Sequence, residues 1–379
     1  MTMIACNIND VAPIVIGDLL ISQSIRPSNF KIPVLHEDVL EYLSEPTDLH
    51  PVSLDQKLYI LKPNVCIAFS GTVGFFKKFL EDISIFCKAK DIVTTKEIAV
   101  FLDDYNKDEW SEFSFVLLVA EKEASHFWVG KFLHGQWLKG ETEILGEVFS
   151  SGSGSLDFLK EVKESIKVLP INAEGINYVL MANILMICKI LGKERLTLNT
   201  IKKHWGAGFE LIYFDGNKFR KLDDITYVVN AGRFDLNGEI NDVPVPLAIM
   251  NYKYHNELLV ITVLKPNKGT TETTDTKYII ISEDFKIEQF IVSPIDYDSS
   301  PENMQNLPGP SFVSNRNAMA YIIETESSHY LPVSFNVGPE LVVKYKHPHQ
   351  IMISMNKLFN DTMTAESKAS YLNFRYKPT

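Results

Sequence analysis

Residues 1–18 read Met1-Thr-Met-Ile-Ala-Cys-Asn-Ile-Asn-Asp-Val-Ala-Pro-Ile-Val-Ile-Gly-Asp18, and residues 57–71 read Lys57-Leu-Tyr-Ile-Leu-Lys-Pro-Asn-Val-Cys-Ile-Ala-Phe-Ser-Gly71. Each stretch is a pair of short apolar runs around a polar turn, a pattern that predicts a hairpin. The first opens on a threonine behind the initiator Met and closes on an acid, Asp18. The second opens on a cation, Lys57, and closes on a small-residue turn, Ser70-Gly71. These two hairpins and their four end points decide how the rest of the chain is read.

After Gly71 the hydrophobic period changes. Phe76, Phe79, Leu80, Ile83, Phe86 and Cys87 fall at helical spacing and make one apolar stripe. A second helix is predicted over Thr95–Asn106, behind a Thr94-Thr95 cap signal. Phe113–Ala120 and His126–Lys131 read as another hairpin. Val148–Ser150 then runs into Ser151-Gly-Ser-Gly-Ser155, followed by helices over Leu156–Lys167 and Ala173–Leu191. Gly206–Phe214 and Lys218–Leu222 form a hairpin around Asp215-Gly216, a dipeptide suited to the tight turn. Strands, two helices, strands, two helices and strands in that order predict two helix layers outside two sheets.

Two other regions break this order. Ser24–Asp55 carries Pro27, Pro33, Pro46 and Pro51, with one short helix near His36–Leu43, and reads as an insertion over 24–55 outside the core. From about Asn237 the helical signal stops. Eight short apolar or alternating runs, from Leu247–Tyr254 to Ile351–Asn356, predict an all-β domain of sandwich type. The expected organisation is thus a domain over 1–236 and an all-β accessory domain over 237–379.

Composition narrows the function. The chain has 379 residues, 45% of them hydrophobic, and a net charge of −11. That balance argues against a surface that tracks nucleic-acid phosphates. Cys6, Cys66, Cys87 and Cys188 all lie in apolar runs without metal-ligand spacing, as buried reduced thiols of a cytoplasmic protein would. The first apolar run lacks a basic leader and contains Asp10 and Asp18, so it does not read as a signal peptide. Ile176–Leu191 is apolar but carries Asn177, Asn183 and Lys189, which predicts a buried helix and no membrane span. His347-x-His349 lacks a third ligand, so no metal or cofactor is expected.

A threonine at a mature N-terminus, exposed by removal of Met1, would carry a hydroxyl and a free amine on one residue. The amine, with an ordinary pKa of roughly 7.7–8.0, can serve as base for its own hydroxyl. Taken singly, Asp18 reads as a strand-end acid, Lys57 as a surface lysine, Gly71 as a turn glycine and Ser151–Ser155 as a loop or helix cap. Their joint order resembles the proteasome β-subunit family, and within it the bacterial HslV type. The resemblance runs from Thr2 to about Tyr227. It rests on the Thr2-to-Asp18 spacing with Gly17 before the acid, the Lys57–Gly71 segment, the 117–126 hairpin, and Gly152-Ser-Gly154 feeding a helix. Lys202 and Trp205 stand where the family usually carries an Asp and a Ser.

The resemblance implies a four-layer αββα sandwich of the N-terminal nucleophile (Ntn) hydrolase type, followed here by the all-β domain. It implies a threonine peptidase that cleaves peptide or small amide substrates. Thr2 would be the nucleophile and its amine the base. Lys57 would lower the amine pKa, with Asp18 orienting it. The Gly71 N–H would face the oxyanion, and Ser153 would support the amine. A homo-oligomer is also implied, with the C-terminal domain free to bind a protein partner. The alternative is a catalytically silent proteasome-like scaffold.

Overall fold

Alternation along the strands decides which way each side chain faces, and it is clearest in the two hairpins. In order, the first elements are β1 (Met3–Ile8), β2 (Ile14–Asp18), β3 (Leu20–Gln23), β4 (His50–Gln56), β5 (Leu58–Lys62) and β6 (Val65–Gly71). Next come α1 (Val73–Lys88), α2 (Thr95–Asp104), β7 (Phe113–Glu123), β8 (His126–His134), β9 (Leu138–Thr142) and β10 (Gly146–Gly152). The middle of the chain holds α3 (Ser155–Ser165), α4 (Gly175–Thr197), α5 (Asn199–Lys202), β11 (Phe209–Phe214), β12 (Phe219–Lys221) and β13 (Ile225–Arg233). The last strands are β14 (Pro246–His255), β15 (Leu258–Thr273), β16 (Lys277–Pro294), β17 (Arg316–Glu324), β18 (Tyr330–Val337), β19 (Val342–His347) and β20 (Gln350–Asn356). The computed structural model describes residues 2–9, 11–35, 38–41, 43, 48–105, 110–123, 126–165, 174–233, 246–295, 307–312, 314, 316–324, 330–337, 342–347, 350–356 and 365.

The protein is mixed α+β, and its described residues form three sheets. One has six antiparallel strands in the order β12-β11-β2-β1-β10-β9, one has four in the order β5-β6-β7-β8, and one has ten. In β6, Val65, Ile67 and Phe69 pack against α1 and α2, while Cys66 and Ala68 face the other way. There they meet Ile4 and Cys6 of β1, Val15 of β2 and Ile212 of β11. The opposite face of β1 and β2 turns Met3, Ala5, Ile14 and Ile16 toward α3 and α4. A side-chain period of two makes these divisions unavoidable once the strands pair.

The expected cap of the second helix is present as a capping box between Thr94 and Glu97. The apolar helix is longer than its sequence pattern, Gly175–Thr197, and is buried on nearly every side from Val179 to Leu191. Its length and hydropathy would suit a membrane span, yet 67% of its most apolar window is buried inside the protein. It lies between the six-stranded sheet and the ten-stranded one, among Ile14, Ile16, Tyr227, Val229, Ala318 and Ala320. Asn7 donates to Asn183 Oδ1 at 2.7 Å, so this buried polar side chain of the helix is paired with β1.

The ten-stranded sheet bears on the reading of the C-terminal region. Its main path runs β18-β17-β13-β14-β15-β16-β20-β19, with β4 joined to β16 and β3 to β4. The described C-terminal strands therefore join one sheet rather than two facing ones. The expected division at 236/237 falls between β13 and β14, which pair antiparallel in that sheet. The proline-bearing stretch expected outside the core instead buries Phe30, Ile32, Val34, Leu35, Val39 and Leu40 in the largest apolar cluster. Its prolines interrupt the period by which a core segment would be read. Of its expected helix, a single turn over Val39–Glu41 is seen, and His36, Glu37 and Tyr42 lie outside the described residues.

Candidate active site

The end of β1 is shaped by a glycine opposite it. β1 and β10 are antiparallel, with Met3 facing Gly152. Gly152 has φ +97°, and a Cβ there would come within 1.8 Å of the Thr2 carbonyl oxygen. Only glycine lets the Gly152–Ser155 turn approach the start of the strand this closely. The Ser153 hydroxyl donates to His204 O at 3.1 Å and lies 3.5 Å from Thr2 O. Thr2 is 1% exposed. Its Oγ1 is one of the buried polar atoms without a hydrogen-bond partner among the described residues. An unpaired buried hydroxyl costs about 1–3 kcal/mol, so its retention needs a reason.

Behind Thr2 sits a buried ion pair. Lys57 occupies the single position between β4 and β5, where the chain leaves the ten-stranded sheet for the four-stranded one. Its ammonium donates to Asp18 Oδ1 at 2.5 Å and to Leu20 O at 2.7 Å. Asp18 Oδ1 also accepts the Met3 N–H at 2.8 Å, and Oδ2 accepts the Gly206 N–H at 2.8 Å. Both side chains have 0% exposure. Burial holds the Asp18 carboxyl above its ordinary value, against the Lys57 charge and three donated hydrogen bonds. Burial likewise holds Lys57 below its ordinary value, against Asp18 and then Glu210 and Asp55. A pair this deep is held by its full set of partners, because neither charge is tolerable alone.

The third element is the end of β6. Gly71 has φ +114°, and a Cβ there would stand 2.6 Å from Glu112 O. Thr2, Ser70, Gly71, Ser151, Gly152 and Ser153 share one cavity of about 950 Å³. Trp110, Glu112, His134 and Trp137 complete its far wall. The structure thus brings Thr2, Gly71 and Ser153 to one cavity and sets Asp18 and Lys57 directly behind it. Such a space fits a small-molecule or peptide segment.

Three supporting residues were not anticipated from the sequence. Glu194, buried near the end of α4, accepts the Thr200 hydroxyl at 2.6 Å and the Ala207 N–H at 2.9 Å. It thereby holds the turn that carries Gly206 onto Asp18. Burial raises its pKa to about 7. Trp205, beside it, packs where a Cβ on Gly154 would stand. Glu210 accepts the main-chain N–H groups of Lys57 and Leu58, the second at 2.9 Å. Its position was legible: it shares a strand face with Ile212 and Phe214, both turned into the core, so a charge there had to be satisfied. Nothing in the local sequence ties Glu194 to residues so distant in the fold.

Among the described residues no group of three or more His, Cys, Asp and Glu side chains is placed to hold a metal ion. His349 of the His347-x-His349 pair, and Met1, lie outside the described residues. All four cysteines are free and buried. No protein-family model matches the chain, and no curated protein matches it significantly.

Proposed function

We propose that the protein is an amide-bond hydrolase of the Ntn type, a threonine peptidase resembling the proteasome β-subunit family. The observation that carries this reading is the Asp18 carboxylate. One of its oxygens accepts both the Lys57 ammonium and the N–H of Met3, the residue after Thr2. A positive charge is thereby held behind Thr2, a residue that lines a cavity shared with Gly71. Packing of α1 and α2 on one sheet, and of α3 and α4 on another sheet facing it, supports an αββα reading of the N-terminal half.

In this reading removal of Met1 frees the Thr2 amine. Thr2 Oγ attacks the substrate carbonyl carbon while the amine takes the hydroxyl proton. Lys57 lowers the proton affinity of that amine by charge alone. The Gly71 N–H meets the oxygen that becomes negative. The C–N bond then breaks, the proton passes to the leaving amine, and an acyl ester remains on Thr2. Water, deprotonated by the same amine, hydrolyses that ester and restores the hydroxyl. Ser153, bonded beside the Thr2 carbonyl, holds the residue in place. The partnerless Oγ1 fits a group whose partner is the substrate.

Thr2→Ala removes the nucleophile and very little packing. Hydrolysis of short peptide amides by the purified protein is expected to fall to the uncatalysed level, with thermal unfolding at no lower temperature, since the variant sheds a buried unpaired hydroxyl. Equal turnover by the two proteins would leave the scaffold reading in its place.

A further inference from the structure

Glu210 is a buried carboxylate that the hydrolytic scheme does not use. Its side chain has 0% exposure. One oxygen accepts two consecutive main-chain N–H groups, those of Lys57 and Leu58. The other accepts Lys221 Nζ at 3.2 Å and the Tyr254 hydroxyl at 3.2 Å. Tyr254 belongs to β14 of the ten-stranded sheet, and its own N–H is held by Asp223 at 2.6 Å. Beside it, Gln56 donates to Glu257 O at 2.6 Å and Val292 O at 2.8 Å, and Lys221 donates to Gln56 Oε1. The residue before Lys57 is thus fastened to the C-terminal strands, and Lys57 itself to Glu210.

We propose that Glu210 is a positioning residue for Lys57, and that through Tyr254 the C-terminal sheet braces the site from behind its cavity. This rests on the threonine-hydrolase reading. Two consecutive N–H groups on one oxygen fix where the lysine backbone sits, and the carboxylate places a negative charge behind its ammonium. Asp18 holds the front of the same side chain. The charged and titratable groups around Lys57 are Asp18 from β2, Asp55 from β4, Glu210 from β11, Lys221 from β12 and Tyr254 from β14. Burial lowers the proton affinity of Lys57, and the anions Asp18, Glu210 and Asp55 oppose it in that order.

A purely structural brace would alter stability and the height of a rate profile, and would not move it along the pH axis. A charged brace does both. Glu210→Gln keeps an acceptor for the two N–H groups and removes the charge, so Lys57 and the Thr2 amine should both lose protons at lower pH. Lys221→Gln removes the opposite charge and should act in the opposite direction. The experiment is a heteronuclear NMR titration of the Lys57 ammonium in the full chain, beside the pH profile of peptide-amide hydrolysis. We expect the titration to fall in Glu210→Gln and to rise in Lys221→Gln, with both limbs of the rate profile following. Should Glu210→Gln not fold, Lys221→Gln decides. An unmoved Lys57 titration in the folded variants overturns the proposal. Failure of the hydrolase reading shows differently, as absent turnover in the natural protein whatever Lys57 does.

Discussion

The two helix-covered faces of the N-terminal half are built on different plans. Under α1 and α2 the four-stranded sheet closes its own core with aromatic rings. Phe69 stacks on Phe76 with ring centres 3.6 Å apart, and Phe79 meets Phe101, Tyr105, Trp110, Phe113 and Phe115. Under α3 and α4 the six-stranded sheet does not close. The apolar cluster there runs through α4 into β13, β14, β15 and β17. Gly71 rides on the self-contained face, whereas Thr2, Asp18 and Ser153 ride on the face that continues into the C-terminal sheet. Lys57 stands at the joint. The difference teaches that the C-terminal strands complete the core on which the candidate nucleophile rests.

The largest expected effect follows from cutting that continuity. A chain ending after residue 236 keeps the aromatic core and loses β14 to β20. It strips one side of α4, a helix with no polar face to present to water. The loss should exceed the about 5–15 kcal/mol that ordinary domains possess. Circular dichroism and calorimetry should show no cooperative transition in the six-stranded half. A truncated chain that melts like the whole one would break the comparison.

A smaller effect sharpens it, because it belongs to the open side alone. Glu194 lies on α4 beneath the Gly206 turn, and its pKa is raised from 4.5 to about 7. A carboxyl raised in the folded state binds its proton there more tightly than in the unfolded chain. Its contribution to stability is complete below about pH 4.5 and is lost as pH rises through about 7. The total is about 3 kcal/mol, from 1.36 kcal/mol per pH unit. Glu194→Gln has no such proton to lose. Denaturation midpoints measured across pH 4–8 should therefore fall with pH in the natural protein relative to the variant. Parallel curves would show that Glu194 does not titrate in this range.

Much of this layout was legible where the pattern is regular. The short apolar runs of β1, β2 and β6 around polar turns told strands from helices, and the single apolar stripe of Phe76, Phe79, Leu80 and Ile83 told which side of α1 is covered. Thr2, Asp18, Lys57, Gly71 and Ser153 became candidates only together, through the resemblance of their order to the proteasome β-subunit family. Elsewhere the local signal misled for physical reasons. β9, Leu138-Lys-Gly-Glu-Thr142, is a mostly polar edge strand and lacks a buried face to announce it. β16 continues through Ser282-Glu-Asp284, a polar break that reads as a turn, because both neighbouring strands continue to pair with it there or nearby. The Phe30–Leu40 segment is core by burial without being periodic. Glu210 and Glu194 act on residues 153 and 13 positions away; the strand face showed that Glu210 needed a partner, but no local pattern said which partner either residue has. The far wall of the cavity, Trp110, Glu112 and Trp137, comes from segments around β7 and β8 that meet only after folding.

The most direct test of the central claim is intact-mass analysis of the purified full chain before and after a threonine-directed covalent inhibitor, with peptide mapping of the product. The account predicts a mass lacking Met1, then a single stoichiometric adduct on Thr2 that is absent from Thr2→Ala and slowed in Lys57→Met. Retention of Met1 with no adduct, or an adduct that persists in Thr2→Ala, would contradict it.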